Sequence, residues 1–371
     1  MTPSTSRLLS VAATAMTLAQ PAIAGTPLGD HLTFSAFGTL GVVKTNSDDG
    51  QYVREEQVKG ATKSASALVD SNLGLQLTAN INDWLSATVQ TLTAQRYTDQ
   101  LTTRLDWAYV KVTPVENLNI RAGKIVLPNF LVSDSRRIGY ANTALRPANE
   151  VYGLDVLNGG LKGVDASYAI RLGGGTLTPS VLYGKTAYDS AALHLPMNKT
   201  RNFNLVWDGD WYTLRLGQTK AAADLTSVAG PGVTDTYTFN GFGFTVDQSN
   251  VVIQGEYVQR RSAIANNFIA ADGWYVQGGY RMGKWLPYAS FAERKKEKAS
   301  VVDPQKTIAL GARWEALSSA ALKFQLENVD TKGTQGASFI TPVIAVVNNF
   351  PVRGVMNKRV TMLSVAMDFV Y

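Results

Sequence analysis

The chain has no cysteine, so neither a disulfide framework nor a thiolate metal site holds it together, although an oxidising compartment is permitted. Histidine is nearly as scarce. His31 and His194 are the only two; one falls at the start of the mature chain and one in an expected loop, neither with an evident paired nucleophile, and bland surface roles suit both. No stretch approaches 18 consecutive apolar residues, and the mean hydropathy of -0.05 is not that of a helical membrane protein. Concentrated positive charge is missing too. The net charge of +6 comes from Lys and Arg scattered along the chain, which gives no basic patch for nucleic acid. The one run, Glu293 to Lys298, carries its own acids and reads as a solvated loop. Gly173-Gly174-Gly175 lacks the Lys-Ser/Thr of a phosphate loop and reads as a tight turn. Cohesion must therefore come from a large core or a closed sheet.

What is present begins with a leader. Residues 1–24 read as a secretory signal peptide, with Arg7 as a thin positive region, an apolar stretch from Leu8 to Leu18 and Ala22-Ile23-Ala24 before the cleavage point. An uncleaved helical anchor is disfavoured, because Ser10, Thr14 and Thr17 interrupt a stretch already shorter than the ~20 residues that span a bilayer. The remainder, 25–371, reads as a single domain.

From Leu32 onward, apolar and polar residues alternate in segments of about ten, the pattern of a transmembrane β-barrel. Leu73, Leu75, Leu77 and Ala79 share one face and Asn72, Gln76, Thr78 and Asn80 the other; Leu322, Phe324 and Leu326 oppose Lys323, Gln325 and Glu327. Strands are expected at 31–45, 71–80, 84–95, 103–113, 117–125, 160–171, 176–186, 199–208, 211–220, 236–247, 251–262, 272–282, 285–295, 305–315, 320–329 and 360–371. That makes about sixteen, with fourteen or eighteen as alternatives. The segments at 236–247, 251–262 and 285–295 are the weakest, the last because Pro287 intrudes. Brief connections alternate with long ones, as periplasmic turns alternate with extracellular loops. The fold expected is all-β, an antiparallel up-and-down transmembrane barrel in contact with outer-membrane lipid.

Energetics set the phase. Were Arg121, Arg215, Arg313 and Lys323 to face lipid at mid-depth, each would cost roughly 2–4 kcal/mol, or about 8–16 kcal/mol together, as much as a domain's whole net stability. They are expected to face an aqueous interior. Tyr109, Trp207, Tyr212, Tyr280, Trp314 and Tyr371 fall on the apolar phase near one end and are expected to form an interfacial girdle.

The last segment, Leu363 to Tyr371, alternates and ends on an aromatic carboxy-terminal residue. It resembles the final strand of outer-membrane proteins, which in that family is read by the barrel-assembly machinery; Tyr371 stands where Phe is commoner. With the leader and the alternation, the whole mature chain resembles the trimeric Gram-negative porins. That resemblance implies a homotrimer, and a third extracellular loop folded into the lumen as its constriction. The third long connection runs from Val126 to Tyr152, and its charges Asp134, Arg136, Arg137, Arg146 and Glu150 become candidates for the constriction.

A diffusion channel needs a hydrated path, a narrow section and a field, and no bond-making residue, cofactor or metal. The inward phase carries Arg104, Asp106, Arg121, Arg215, Glu256, Arg281, Arg313, Lys323 and Glu327. Six bases face three acids there, which implies a mild anion preference; Asp165 and Asp368 turned inward, with a few misphased strands, would erase the excess. The expected function is passive diffusion of small hydrophilic solutes. The alternatives are a substrate-specific channel for an organic acid or sugar, a barrel-type hydrolase, and a non-conducting anchor or adhesin.

Overall fold

The computed structural model describes residues 25–154, 160–189, 194–263, 269–297, 300, 302–347, 350–356 and 359–371; the expected leader, 1–24, lies outside them. Sixteen antiparallel strands form the wall: β1 Leu32–Thr45, β2 Asn72–Asn82, β3 Leu85–Gln95, β4 Leu101–Val112, β5 Leu118–Ile125, β6 Leu161–Tyr168 prolonged by Ile170–Leu172, β7 Gly175–Asp189 and β8 His194–Gly209. They continue as β9 Tyr212–Asp224, β10 Thr234–Gln248, β11 Val251–Ser262, β12 Ala271–Tyr280, β13 Trp285–Lys296, β14 Gln305–Leu317, β15 Ala320–Asp330 and β16 Val360–Val370. Each pairs with its neighbours in sequence, and β16 returns to β1 with Thr39 opposite Asp368, so the barrel has no free edge.

The alternation decides which face meets lipid. Leu73, Leu75, Leu216, Leu310, Phe324 and Leu326 are exposed on the outside, while the intervening Gln76, Arg215, Gln325 and Lys323 are buried on the inside. A wall apolar outside and polar inside is the inverse of a soluble protein and matches a barrel standing in a bilayer. All three weaker segments form full strands. Phe242 is exposed outside and Tyr237 and Phe239 are buried inside, and Pro287, which has no N–H to give, lies just beyond the last β12–β13 pair, Gly279 with Tyr288. Gly173, at φ +56°, occupies the tight turn between β6 and β7.

Two expectations are corrected. Tyr109 is not in the outer girdle: it is buried inside, its ring under the Arg121 guanidinium. The reason is a bulge at Asp106, since Gln90 pairs with Trp107 while the next residue, Thr91, pairs with Leu105. One extra residue inverts the phase of everything beyond it. Trp207, Tyr212, Tyr280 and Trp314 keep the outward phase, with Trp285 stacked on Trp314 at 5.8 Å. The charge run is not a loop at its start either. Glu293 to Lys296 complete β13, sending Arg294 inward and Glu293 and Lys295 outward, whereas Lys298 lies outside the described residues.

The barrel also contains a core. Phe130, Val151, Tyr152 and Leu154 from the 126–154 segment pack with Tyr237, Phe239, Val258 and Tyr275 of the wall. Phe130 stacks on Tyr152 at 4.5 Å and meets Phe239 edge-on at 5.3 Å. Phe130, Tyr152 and Phe239 are each at most 2 % exposed, and truncating one such ring costs about 3–5 kcal/mol.

Candidate functional site

The segment from Val126 to Leu154 holds only a 3₁₀ turn, Gly139–Ala141, and one helical turn, Asn149–Tyr152. Most of its backbone carbonyls therefore have no secondary-structure partner, and buried carbonyls require donors. The wall supplies them as cations. Lys323 Nζ donates to the carbonyls of Gly139 at 2.7 Å, Asn142 at 2.5 Å and Ala144 at 3.0 Å, and pairs with Asp368 at 3.0 Å. Arg313 donates to Tyr140 O at 2.6 Å and Asn142 O at 2.8 Å. Arg294 reaches Asn149 O and Glu150 O, Arg260 reaches Leu154 O, and Arg215 reaches Pro128 O. From the other charge class, Glu256 accepts the Leu131 N–H at 2.7 Å together with the hydroxyls of Tyr152 and Tyr275. Hydrogen bonds to charged groups contribute about 1.5–3 kcal/mol each, so these contacts fix the segment firmly to β9–β16.

Gly139 marks the tightest approach. A Cβ there would collide with the Asp368 carboxylate and the Thr39 hydroxyl, which are themselves hydrogen-bonded at 2.6 Å. Only glycine lets the backbone lie against β1 and β16.

The remaining expected wall residues have separate surroundings. Arg121 pairs with Asp165, its cross-strand neighbour, through Nε at 3.0 Å and Nη2 at 2.5 Å. Glu327 pairs with Arg146, which also takes Asp70 at 2.7 and 2.9 Å and lies over the Tyr52 ring. Asp70 belongs to the first long connection; burial works against its ionisation, yet Arg146 and Arg54 hold its carboxyl below the usual range. Glu150 accepts from Gln305 and Thr307. Arg281 stands just past the last residue of β12 and forms an exposed two-pronged pair with Asp247. Asp165 and Asp368 do point inward, each beside a base, so the basic excess expected of the wall residues shrinks to six bases against five acids.

One region is organised differently. Arg54, Glu55 and Glu56 of the first long connection, Arg96 after β3, Arg104 and Asp106 of β4, and Asp134, Arg136 and Arg137 of the third long connection line adjoining cavities. Glu56 meets Arg96 and lies 3.9 Å from Arg104; Glu55 is 3.2 Å from Arg137; Arg104 is 3.1 Å from Asp106. The adjacent acids diverge. Burial raises the Glu56 carboxyl, only partly offset by Arg96, whereas at Glu55 burial is outweighed by Arg137 and Arg136, which hold it low. Burial also raises Asp134. Among the described residues, Glu56 Oε1, Asn72 Oδ1, Gln95 Oε1, Arg104 Nε and Arg137 Nε line the first cavity without a hydrogen-bond partner. Such atoms call for water or a polar solute.

Arg54, Glu55, Glu56, Asp70 and Arg96 were not among the sequence candidates. The only sequence signal for them is the compact run Arg54-Glu55-Glu56 inside a connection too long to be a simple turn.

No family model and no curated protein matches the chain. Its structure does match solved ones. Salmonella typhi OmpF, solved in complex with daunomycin, aligns at a TM-score of 0.61 and 12% identity, covering 92% of this chain and 97% of that one. The outer membrane channel DcaP of Acinetobacter baumannii gives 0.59 and 11%, covering 94% and 99%. An anion-selective porin from Comamonas acidovorans gives 0.57 and 14%, covering 92% and 99%. At these identities the likeness is one of architecture, and the closed sixteen-strand barrel with its apolar outer band has the fold of the bacterial outer-membrane porins.

Proposed function

We propose that the chain is a passive channel of the bacterial outer membrane for small hydrophilic solutes, with the 126–154 segment folded into the lumen as its constriction. The observation that carries this reading is the set of inward-phase cations hydrogen-bonded to that segment's carbonyls. A chain held from several strands of the inner wall narrows the path without closing every part of it. The path runs past the arginine and carboxylate cavity, where the first long connection joins the third.

A mild anion preference follows from that cavity. Five arginines, Arg54, Arg96, Arg104, Arg136 and Arg137, face Glu55, Glu56, Asp70, Asp106 and Asp134. Asp70 is already committed to Arg146, and Glu56 and Asp134 are pushed toward neutrality. The cations that remain tilt the field toward anions. In planar bilayers under a salt gradient, the reversal potential should take the anion-selective sign; the cation-selective sign would overturn the preference, and zero conductance the channel itself.

The leader is cleaved after Ala24 in this reading, which amino-terminal sequencing of the mature protein would check by finding Gly25 first. A homotrimer and recognition of the last strand by the assembly machinery follow from the porin resemblance. OmpT of Vibrio cholerae, solved in a trimer form, aligns at a TM-score of 0.54 and 13% identity over 92% of this chain. The unpartnered polar atoms of the first cavity favour a second reading, a channel with a solute-binding step. Saturable block of single-channel current by one solute would distinguish it from general diffusion.

A further inference from the structure

A turn in the first long connection is built to carry two acids inward. The Arg54 N–H donates to Gln57 Oε1 and Gln57 Nε2 donates to Val69 O, both at 2.9 Å, while the Gln57 N–H closes onto Arg54 O at 3.2 Å. The Gln57 side chain thus ties the outgoing and returning arms of the connection together, with Glu55 and Glu56 in the turn. Glu56 holds φ 70° there, a left-handed conformation that disfavours any side chain and persists only where the surroundings fix it.

Four oxygens on the first cavity accept no hydrogen bond among the described residues: Glu55 Oε2, Glu56 Oε1, Asn72 Oδ1 and Gln95 Oε1. Glu55 Oε2 is 3.2 Å from Arg137 as an ion pair, yet receives no aligned N–H. On the same cavity Arg104 Nε and Arg137 Nε each carry an N–H without an acceptor. The side chain of Glu56 is only 2 % exposed and Gln95 only 3 %, so these are buried groups that a bound molecule must satisfy.

Size and charge narrow what that molecule can be. The cavity is about 20 Å³ and adjoins one of about 40 Å³ that shares Arg104 and Arg137. At ~10–15 Å³ for each water-sized occupant, the pair admits only a few non-hydrogen atoms. Arg54, Arg96, Arg104 and Arg137 are met by Glu55, Glu56, Asp70 and Asp106. An anion would satisfy the two N–H groups and face the unpartnered oxygens; a cation would satisfy the oxygens and face the guanidinium groups. A neutral solute richer in N–H groups than in acceptors meets both. Urea is planar and small, with N–H groups on both nitrogens and one carbonyl oxygen whose two lone pairs can take two donors.

We propose that this cavity is a binding site for a small neutral amide of the urea class, its N–H groups on Glu55, Glu56, Asn72 and Gln95 and its carbonyl oxygen on Arg104 and Arg137. The proposal rests on the solute-binding reading of the channel and names the solute's chemistry.

The test uses the full mature barrel in detergent with ¹⁵N-labelled urea, whose resonances broaden on binding whether or not the barrel conducts. Broadening should saturate with a dissociation constant on the order of 1 mM, as suits so small a ligand. Unlabelled formamide should displace the label, whereas tetramethylurea, which has no N–H, and the ions nitrate and ammonium should do so at least about tenfold less well. Gln95→Leu should bind urea roughly fivefold more weakly, the worth of one neutral hydrogen bond. Ser290→Ala, an inward residue of β13 away from this cavity, should change binding by less than about twofold. Absence of saturation, equal displacement by tetramethylurea, stronger displacement by either ion, or equal loss in the two variants would each overturn the proposal. Planar-bilayer conductance separates it from the channel reading: ordinary conductance without urea binding removes only the amide site, and saturable urea binding without conductance removes only the channel. The displacement series on the unaltered protein decides even if Gln95→Leu fails to fold.

Discussion

The inner wall uses charge in two ways, and the boundary between them divides the barrel. On β9–β16, Arg215, Arg260, Arg294, Arg313 and Lys323 are spent on backbone carbonyls of the 126–154 segment. Around β3 and β4, Arg96 and Arg104, with Arg54 and Arg137 from the connections, face carboxylates across a cavity and leave polar atoms unpartnered. The first group is structural, committed to those carbonyls, although Arg215 Nη1 is left without a hydrogen-bond partner. The second retains capacity for water and solute. Four arginines in each region therefore do not make equal fields.

Substitutions on the two sides should separate stability from selectivity. The largest effect belongs to Lys323, fully buried between Asp368 and three carbonyls. Lys323→Met leaves the buried Asp368 carboxylate with the Thr39 hydroxyl but no counter-charge and should cost about 3–5 kcal/mol in thermal unfolding, with noisier single-channel current as the 139–144 turn loosens. The double variant K323M/D368L should recover much of that stability; if it does not, the carbonyl contacts outweigh the ion pair.

Glu256→Gln comes next. It weakens the acceptor shared by Leu131, Tyr152 and Tyr275 and should cost about 1–3 kcal/mol with little change in reversal potential. Arg104→Gln and Arg137→Gln should instead act on selectivity, moving the reversal potential toward cations. A large selectivity change from Glu256→Gln, or none from the arginine variants, would erase the distinction between the walls.

Acidification probes the same boundary. The raised carboxyls of Glu56 and Asp134 lose charge at a pH above the ordinary carboxylate range, so the reversal potential should move toward anions as pH falls through that window. Glu56→Gln should remove part of the movement. Asp70 has the opposite sign: its folded value is depressed, so its stabilisation is present above about pH 4 and lost as pH falls through the lower folded value. The smallest effect belongs to Arg281→Gln at an exposed pair with Asp247, expected to cost about 0.2–1 kcal/mol without altering conductance.

The barrel was legible because lipid and water impose opposite solvents on alternate residues, so Leu73 and Leu326 declare their face without any knowledge of contacts. Tyr109 was misplaced because a bulge at Asp106 leaves no composition signal. The wall charges were legible as inward but not in their use. An arginine facing a carbonyl of a distant loop has no sequence partner to betray it, since every residue owns a carbonyl. Asp70 and the Arg54-Glu55-Glu56 run were missed for a related reason: a long connection's side chains take their meaning from the wall they meet.

The meeting of β1 with β16 has a further consequence at Lys323. Thr39, Asp368 and Lys323 come from β1, β16 and β15, and Gly139 of the third long connection rests on all three. Thr39 and Asp368 are 329 residues apart in sequence, so this knot cannot be tied until the last strand has been made and seated. Sealing the seam and docking the loop are then a single event. A chain stalled one strand short would lack both at once, and its 139–144 turn would remain accessible to protease until the moment of closure.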